Sequence, residues 1–167
     1  MNKAIFFDRD GVINDNSELY YTFRIQDFKV NPGVTEALKI LSRKGYLLII
    51  ITNQGGVAKG VYTRADVDKL NEEIKLVFKQ SDIEITEIFY CPHHPSQSKC
   101  LCRKPGSLLI EKALAKYKID PFKSYMIGDS GHDIDAAEAV SVKGIRISPN
   151  SNLFEELKLK FQNFDSL

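Results

Sequence analysis

Among its 167 residues the sequence has no tryptophan, two methionines and only three cysteines. The three thiols are an odd number confined to one segment, Cys91, Cys100 and Cys102. That pattern argues against a disulfide framework and fits a thiolate metal site in a reducing compartment. Apolar runs of membrane-spanning length are also missing, and the run Ala4 to Phe7 meets the charged Asp8 too early to serve as a secretory segment. A cytoplasmic location is therefore expected. Neither sign of charge dominates: 23 basic residues face 22 acidic ones, mixed along the chain, for a net charge of +1. Nothing in this balance suggests a nucleic-acid tail or a membrane-binding stripe, so small molecules are the expected partners. Without a long exposed apolar segment the default expectation is a monomer. Internal repeats and low-complexity tracts are missing too, and the length suits a single domain over 1–167.

What is present is a set of short, continuous apolar runs. Ala4 to Phe7, Leu47 to Ile51 and Tyr125 to Ile127 each end abruptly in polar residues or glycine, as strands covered on both faces do in a parallel sheet. Residues 85–90 and 144–147 are further strand candidates. Helical patterns separate the runs. Asn31 is expected to cap a helix that begins at Pro32 and stops at Gly45; Thr63 caps a second containing Val67, Leu70, Ile74, Val77 and Phe78; a third spans 107–117. Shorter helices over 133–140 and 153–161 complete the alternation. The implied architecture is α/β, a doubly wound, mostly parallel sheet, in which ligands gather beyond the carboxyl ends of the strands.

The residues that end the apolar runs carry chemistry. They are Asp8 and Asp10; Thr52, Asn53 and Gln54; and Gly128, Asp129 and Asp133. Four converging carboxylates cannot all ionise without a cation, and an all-oxygen donor set favours magnesium. A carboxylate can also act as a nucleophile and carry a phosphoryl group, with Asp8 as the candidate. Asp10, two positions on, is placed to protonate the leaving oxygen and deprotonate the attacking water. Thr52 and Lys104 offer a hydroxyl and a fixed positive charge to the phosphoryl oxygens. Asp-x-Asp alone is ordinary turn chemistry; the ordered set along the chain is what argues for catalysis.

A second constellation follows in Cys91-Pro92-His93-His94-Pro95 and Cys100-Leu101-Cys102. Three thiols and an imidazole make one tetrahedral zinc set that leaves no open position, which marks a structural ion. In extended chain, residues two apart face the same side, pairing Cys91 with His93 and Cys100 with Cys102, with His94 as the alternative imidazole. Phe6, Phe7 and Phe78 read as core, His132 as a surface helix residue, and the stretch near Lys158 and Lys160 as a solvated face.

Through Asp8-Arg9-Asp10-Gly11, Thr52-Asn53-Gln54, Lys104, and Gly128-Asp129 with Asp133, the sequence resembles the haloacid dehalogenase superfamily of phosphatases. The resemblance implies magnesium held by Asp8, Asp129 and the Asp10 carbonyl, with Asp133 supporting the site from behind. The cysteine loop, together with Thr52-Asn53-Gln54-Gly55-Gly56 and Arg103-Lys104-Pro105, narrows the likeness to a branch. That branch holds the heptose bisphosphate phosphatases of nucleotide-activated heptose biosynthesis and the related histidinol-phosphate phosphatases. It implies that Arg103 recognises a second phosphate or the sugar and that residues 15–21 with Asn53, Gln54 and Gly55 line the pocket. Ser130 takes a substrate position where lysine is frequent, and Gly106 follows Pro105 where a histidine-proline pair is often found. The interval from Gly11 to Thr52 is too short for an inserted cap domain. Heptose bisphosphate hydrolysis is the leading expectation and histidinol-phosphate hydrolysis the alternative. A phosphosugar-binding module without turnover is the reading from another class.

Overall fold

The structure is a computed structural model that describes residues 1–161 and 164. Five parallel strands, β1 (Lys3–Phe7), β2 (Tyr46–Asn53), β3 (Glu87–Cys91), β4 (Tyr125–Gly128) and β5 (Lys143–Arg146), form one sheet in the order β3-β2-β1-β4-β5. The helices are α1 (Val34–Arg43), α2 (Arg64–Lys79), α3 (Leu108–Tyr117), α4 (Gly131–Glu138) and α5 (Leu153–Lys160).

The apolar runs are continuous because both faces of the sheet are covered. Ile5, Phe7, Leu48 and Ile50 pack with α1, α2 and α5, while their neighbours Ala4, Phe6, Ile49 and Ile51 pack with α3 and α4. Phe6 and Phe7 are completely buried on opposite faces. Burying such a ring contributes about 1.5–3 kcal/mol. The chain leaves β1 to build β2 and β3 on one side, then returns to build β4 and β5 on the other. The carboxyl ends of β1 and β4 therefore flank the topological switch point, where ligands bind in sheets of this kind.

The helix boundaries follow their local chemistry with one exception. Thr63 and Asp66 form a reciprocal capping box at the start of α2, and Gly45, at φ +77°, follows the end of α1. Helix α1, however, does not start at Pro32 under an Asn31 cap. It starts at Val34 behind Gly33, at φ +72°, and the Asn31 amide instead donates to the Val12 carbonyl at 3.2 Å. The reason is tertiary. A Cβ on residue 33 would lie 2.0 Å from Asn152 Oδ1, so the close approach of the α5 cap sets the entry to α1. Helix α4 begins two residues earlier than expected because Ser130 and Asp133 cap it. Of the helix expected over 153–161, α5 occupies Leu153–Lys160. No described helix is long and apolar enough to cross a membrane.

Candidate active site

Asp8 is the first residue beyond β1, and its N–H still donates to the Ile127 carbonyl of β4 at 2.9 Å. Asp129 follows β4, and Asp133 lies in the first turn of α4. One carboxylate oxygen from each of the three lies within 4.8 Å of the others. Two glycines allow this approach. A Cβ on Gly11, which is at φ +86°, would fall 2.3 Å from Asp129 Oδ2, and one on Gly128 would fall 2.2 Å from Asp133 Cβ.

Lys104 enters the cluster from the opposite side with only 3% of its surface exposed. Its ammonium lies 2.8 Å from Asp8 Oδ1 and 2.6 Å from Asp133 Oδ1, and donates to the Ile51 carbonyl at 2.7 Å. Burial opposes the ammonium charge, but Asp8 and Asp133 outweigh it and raise the lysine's proton affinity. Burial also pushes the Asp8 carboxyl up to about 7, against the pull of Lys104 and with a further push from Asp133. Asp129 is raised as well, first by burial and then by Asp133. Three carboxylates gathered with one ammonium would carry surplus negative charge if all were ionised, and their raised proton affinities are the mark of that conflict. Asp133 Oδ1 is moreover buried without a properly angled hydrogen bond. An all-oxygen, electron-rich set of this kind fits a hard divalent cation.

Asp10 is held apart from this cluster. Its Oδ1 accepts from Arg9 Nη2 at 2.9 Å and from Asn14 Nδ2 at 3.1 Å; its Oδ2 accepts from Arg9 Nη2 at 2.9 Å and Gln54 Nε2 at 3.0 Å. Arg9 is buried and also reaches the Thr22 carbonyl at 2.7 Å. Gln54 additionally donates to Thr52 Oγ1 at 2.9 Å, and Tyr62 donates to Gln54 Oε1 at 2.7 Å. Sequence reasoning passed over Arg9, Asn14 and Tyr62. Asn53 clamps the backbone of residue 104, accepting from its N–H at 3.0 Å and donating to its carbonyl at 3.2 Å.

The cysteine segment gathers as its spacing suggests. Cys91 Sγ lies 3.0 Å from Cys102 Sγ, 3.6 Å from Cys100 Sγ and 3.5 Å from His93 Nδ1, and His93 Nδ1 lies 3.3 Å from Cys102 Sγ. A zinc tetrahedron of three thiolates and one imidazole has edges of about 3.6–3.8 Å; these four donors gather on that scale, with the Cys91–Cys102 pair closer than an ion would set it. His94 stands outside the cluster, its Nδ1 2.7 Å from Ser96 Oγ. Burial raises the Cys91 thiol, and a hydrogen bond with Cys102 adds to that, so a cation is what would favour its thiolate.

Between the two clusters opens a cavity of about 190 Å³ lined by Asp10, Asn16, Tyr20, Tyr21, Asn53, Gln54, Gly55, Tyr62, His94 and Arg103. Asn53, Gln54, Gly55 and Arg103 line it as expected, but of residues 15–21 only Asn16, Tyr20 and Tyr21 do; the Tyr62 wall and His94 were not expected. Arg103 also donates to the His93 carbonyl at 3.1 Å, tying the cavity to the cysteine loop. Ser130 does not line the cavity. Its hydroxyl donates to Asp133 Oδ2 at 2.7 Å, which makes it a helix cap where a substrate contact was expected.

Comparison with known proteins agrees with this geometry. The family model described as polynucleotide kinase 3 phosphatase matches residues 3–163. The chain is 38% identical over 148 residues to the D-glycero-beta-D-manno-heptose-1,7-bisphosphate 7-phosphatase of Haemophilus influenzae, covering 86% of this chain and 79% of that protein. It is also 38% identical to the alpha-named heptose bisphosphate phosphatase of Photorhabdus laumondii, over 84% of this chain and 79% of the relative. Among solved structures, the D,D-heptose 1,7-bisphosphate phosphatase from B. bronchiseptica, complexed with magnesium and phosphate, superposes with a TM-score of 0.81. It is 26% identical, and the match covers 95% of this chain and 87% of that one. The switch-point carboxylates, the buried lysine and a match along nearly the whole chain lead to one conclusion: this chain belongs to the polynucleotide kinase 3 phosphatase family, and it is a phosphatase.

Proposed function

We propose that the chain hydrolyses the 7-phosphate of D-glycero-D-manno-heptose 1,7-bisphosphate, in the formation of nucleotide-activated heptose. The observation that carries the substrate class is the charge of the cavity wall. Arg103 lines the cavity, and the proton affinity of His94 is lowered by burial, then by Lys59 and Arg103. Asp10 is the single carboxylate among the described lining residues. A second phosphate suits such a wall, whereas the amine of histidinol phosphate would call for carboxylates at its far end.

In this reading the Asp8 carboxylate attacks phosphorus. A bond forms between its oxygen and phosphorus, the bond to the sugar oxygen breaks, and Asp10 gives that oxygen a proton. Asp10 then takes a proton from water as the water attacks the acyl phosphate, releasing inorganic phosphate and restoring Asp8. Thr52 donates to a phosphoryl oxygen, and Lys104 supplies a positive charge to the phosphoryl oxygens while its contact with Asp8 favours the carboxylate form. Asp8, Asp129 and the Asp10 carbonyl would hold magnesium, which when bound offsets the negative charge shared by carboxylates and phosphate. Cys91, His93, Cys100 and Cys102 would hold zinc as a staple that fixes Arg103 beside the cavity. The free thiols suit a reducing, cytoplasmic setting, and the enzyme is read as a monomer.

Steady-state turnover with magnesium on heptose bisphosphate, heptose monophosphate and histidinol phosphate tests the proposal. A kcat/KM at least about tenfold higher for the bisphosphate is expected from one charge-assisted contact. Preference for histidinol phosphate would overturn the substrate, and turnover of none of them would favour the binding-module reading.

A further inference from the structure

Tyr62 has no part in the scheme above, yet it is built into the site with care. It is 5% exposed, its ring is stacked on Phe23 at 5.0 Å between centroids, and Tyr21 meets it edge-on at 5.7 Å. Space for it is kept by Gly56, where a Cβ would lie 2.2 Å from the Tyr62 ring.

The chain of hydrogen bonds from this phenol has a fixed polarity. Whether Asp10 is ionised or holds the proton it gives to the leaving oxygen, its Oδ2 can accept, so the Gln54 group that faces it is the NH₂. The two hydrogens of Nε2 are then spent on Asp10 Oδ2 at 3.0 Å and Thr52 Oγ1 at 2.9 Å. The Gln54 carbonyl oxygen points the other way and accepts from Tyr62 at 2.7 Å. Burial pushes the phenol up to about 12, despite the opposing charge of Arg9, so it remains a donor at neutral pH. Thr52 already receives a hydrogen bond, so its own proton is left to donate into the phosphoryl site. Rotation of the Gln54 amide would set its carbonyl against a carboxylate and turn the threonine proton away.

We infer that Tyr62 is a positioning residue for phosphoryl transfer: acting through the Gln54 amide, it aims the Asp10 carboxylate at the leaving oxygen and the Thr52 proton at the phosphoryl group. This rests on the proposed role of Asp10 as proton donor and acceptor.

The test compares Tyr62→Phe, which keeps the ring and its stacking, with wild type, Gln54→Leu, the double variant and Asp10→Asn. All are assayed with magnesium on heptose bisphosphate and on p-nitrophenyl phosphate. The sugar oxygen needs a proton to leave, and p-nitrophenolate does not. Tyr62→Phe is expected to lower kcat on the sugar phosphate by about tenfold or more, with KM within about twofold and a clearly smaller loss on the aryl phosphate. Adding Tyr62→Phe to Gln54→Leu should cost nothing further, because the link is already cut. Equal losses on both substrates, an unchanged kcat, or additive losses in the double variant would each overturn the inference. Should Tyr62→Phe fold poorly by circular dichroism, Gln54→Leu alone decides, by the presence or absence of the same leaving-group-selective loss. Full activity of Asp10→Asn would overturn the mechanism instead. If wild type cleaves histidinol phosphate but not heptose bisphosphate, the substrate reading fails and the same comparison is read on histidinol phosphate.

Discussion

The carboxylate cluster and the thiol cluster lie on either side of Arg103 and Lys104, but they stand on different foundations. Asp8 and Asp129 extend directly from neighbouring parallel strands, Asp133 is fixed in a capped helix, and the Lys104 ammonium lies among them. In the thiol cluster only Cys91 belongs to a strand; His93, Cys100 and Cys102 come from irregular backbone, and their mutual contacts are thiol and imidazole. One cluster carries an internal counter-charge and the rigidity of the sheet, and the other has neither. The first should keep its shape without metal while losing activity; the second should lose its shape.

The severest way to break that comparison acts on chemistry alone. Asp8→Asn keeps the side chain's shape and an oxygen for Lys104 while removing the carboxylate proposed as nucleophile. Activity is expected to fall by at least about 10⁴-fold, while the melting temperature and zinc content stay near wild type. Steady-state assays beside circular dichroism and elemental analysis check this, and appreciable residual turnover would remove Asp8 from the nucleophile's role.

Lys104→Met attacks the counter-charge. It leaves Asp8 and Asp133 facing each other in a buried site, where losing one partner of an ion pair costs about 3–5 kcal/mol. Urea denaturation in chelator should show a loss of that order, and added magnesium should restore part of it. Equal stability with and without magnesium would mean that the carboxylates do not share a cation.

These expectations rest on features of unequal legibility. The strand ends could be read because buried parallel strands appear as apolar runs, and a polar residue that stops such a run must emerge at the sheet's carboxyl edge. Cys91, His93, Cys100 and Cys102 could be read because ligand type and spacing are local. Arg9 could not. A charged residue between two aspartates reads as exposed, and its burial depends on the chain returning at Thr22 to accept its hydrogen bond. Tyr62 depends in the same way on a loop path, although Gly56 was a trace of the room it needs. The start of α1 was misplaced because α5, more than a hundred residues downstream, decides the conformation of Gly33. Ser130 proved to be a helix cap, a role hidden because a hydroxyl beside a strand-end aspartate reads equally as a ligand contact.

The thiol cluster is broken by Cys102→Ser, which offers a hydroxyl where a thiolate is needed. Zinc content should fall toward zero, the melting temperature by on the order of 5 °C, and KM should rise more than kcat falls, because Arg103 loses its support. Elemental analysis and thermal denaturation check the first two. Unchanged stability after zinc loss would contradict a loop shaped by its ion.

The smallest expected effect comes from a residue between the sheet and the cysteine loop. Gly55 follows β2, yet a Cβ there would lie 3.0 Å from His94 Cδ2 and 3.1 Å from Arg103 Nη1. Both atoms are at the ends of side chains, so Gly55→Ala asks for shifts of a few tenths of an ångström, with no change to the sheet. Stability should stay within about 0.5 kcal/mol of wild type. If the cysteine loop is as compliant as its irregular backbone suggests, Arg103 moves with it, and KM for the bisphosphate rises about threefold at nearly constant kcat. A substrate with no second phosphate should then show no change in KM. A similar rise for both substrates would place the strain on the strand side, at Gln54 and Asp10, and the division between a rigid catalytic half and a compliant recognition half would have to be given up.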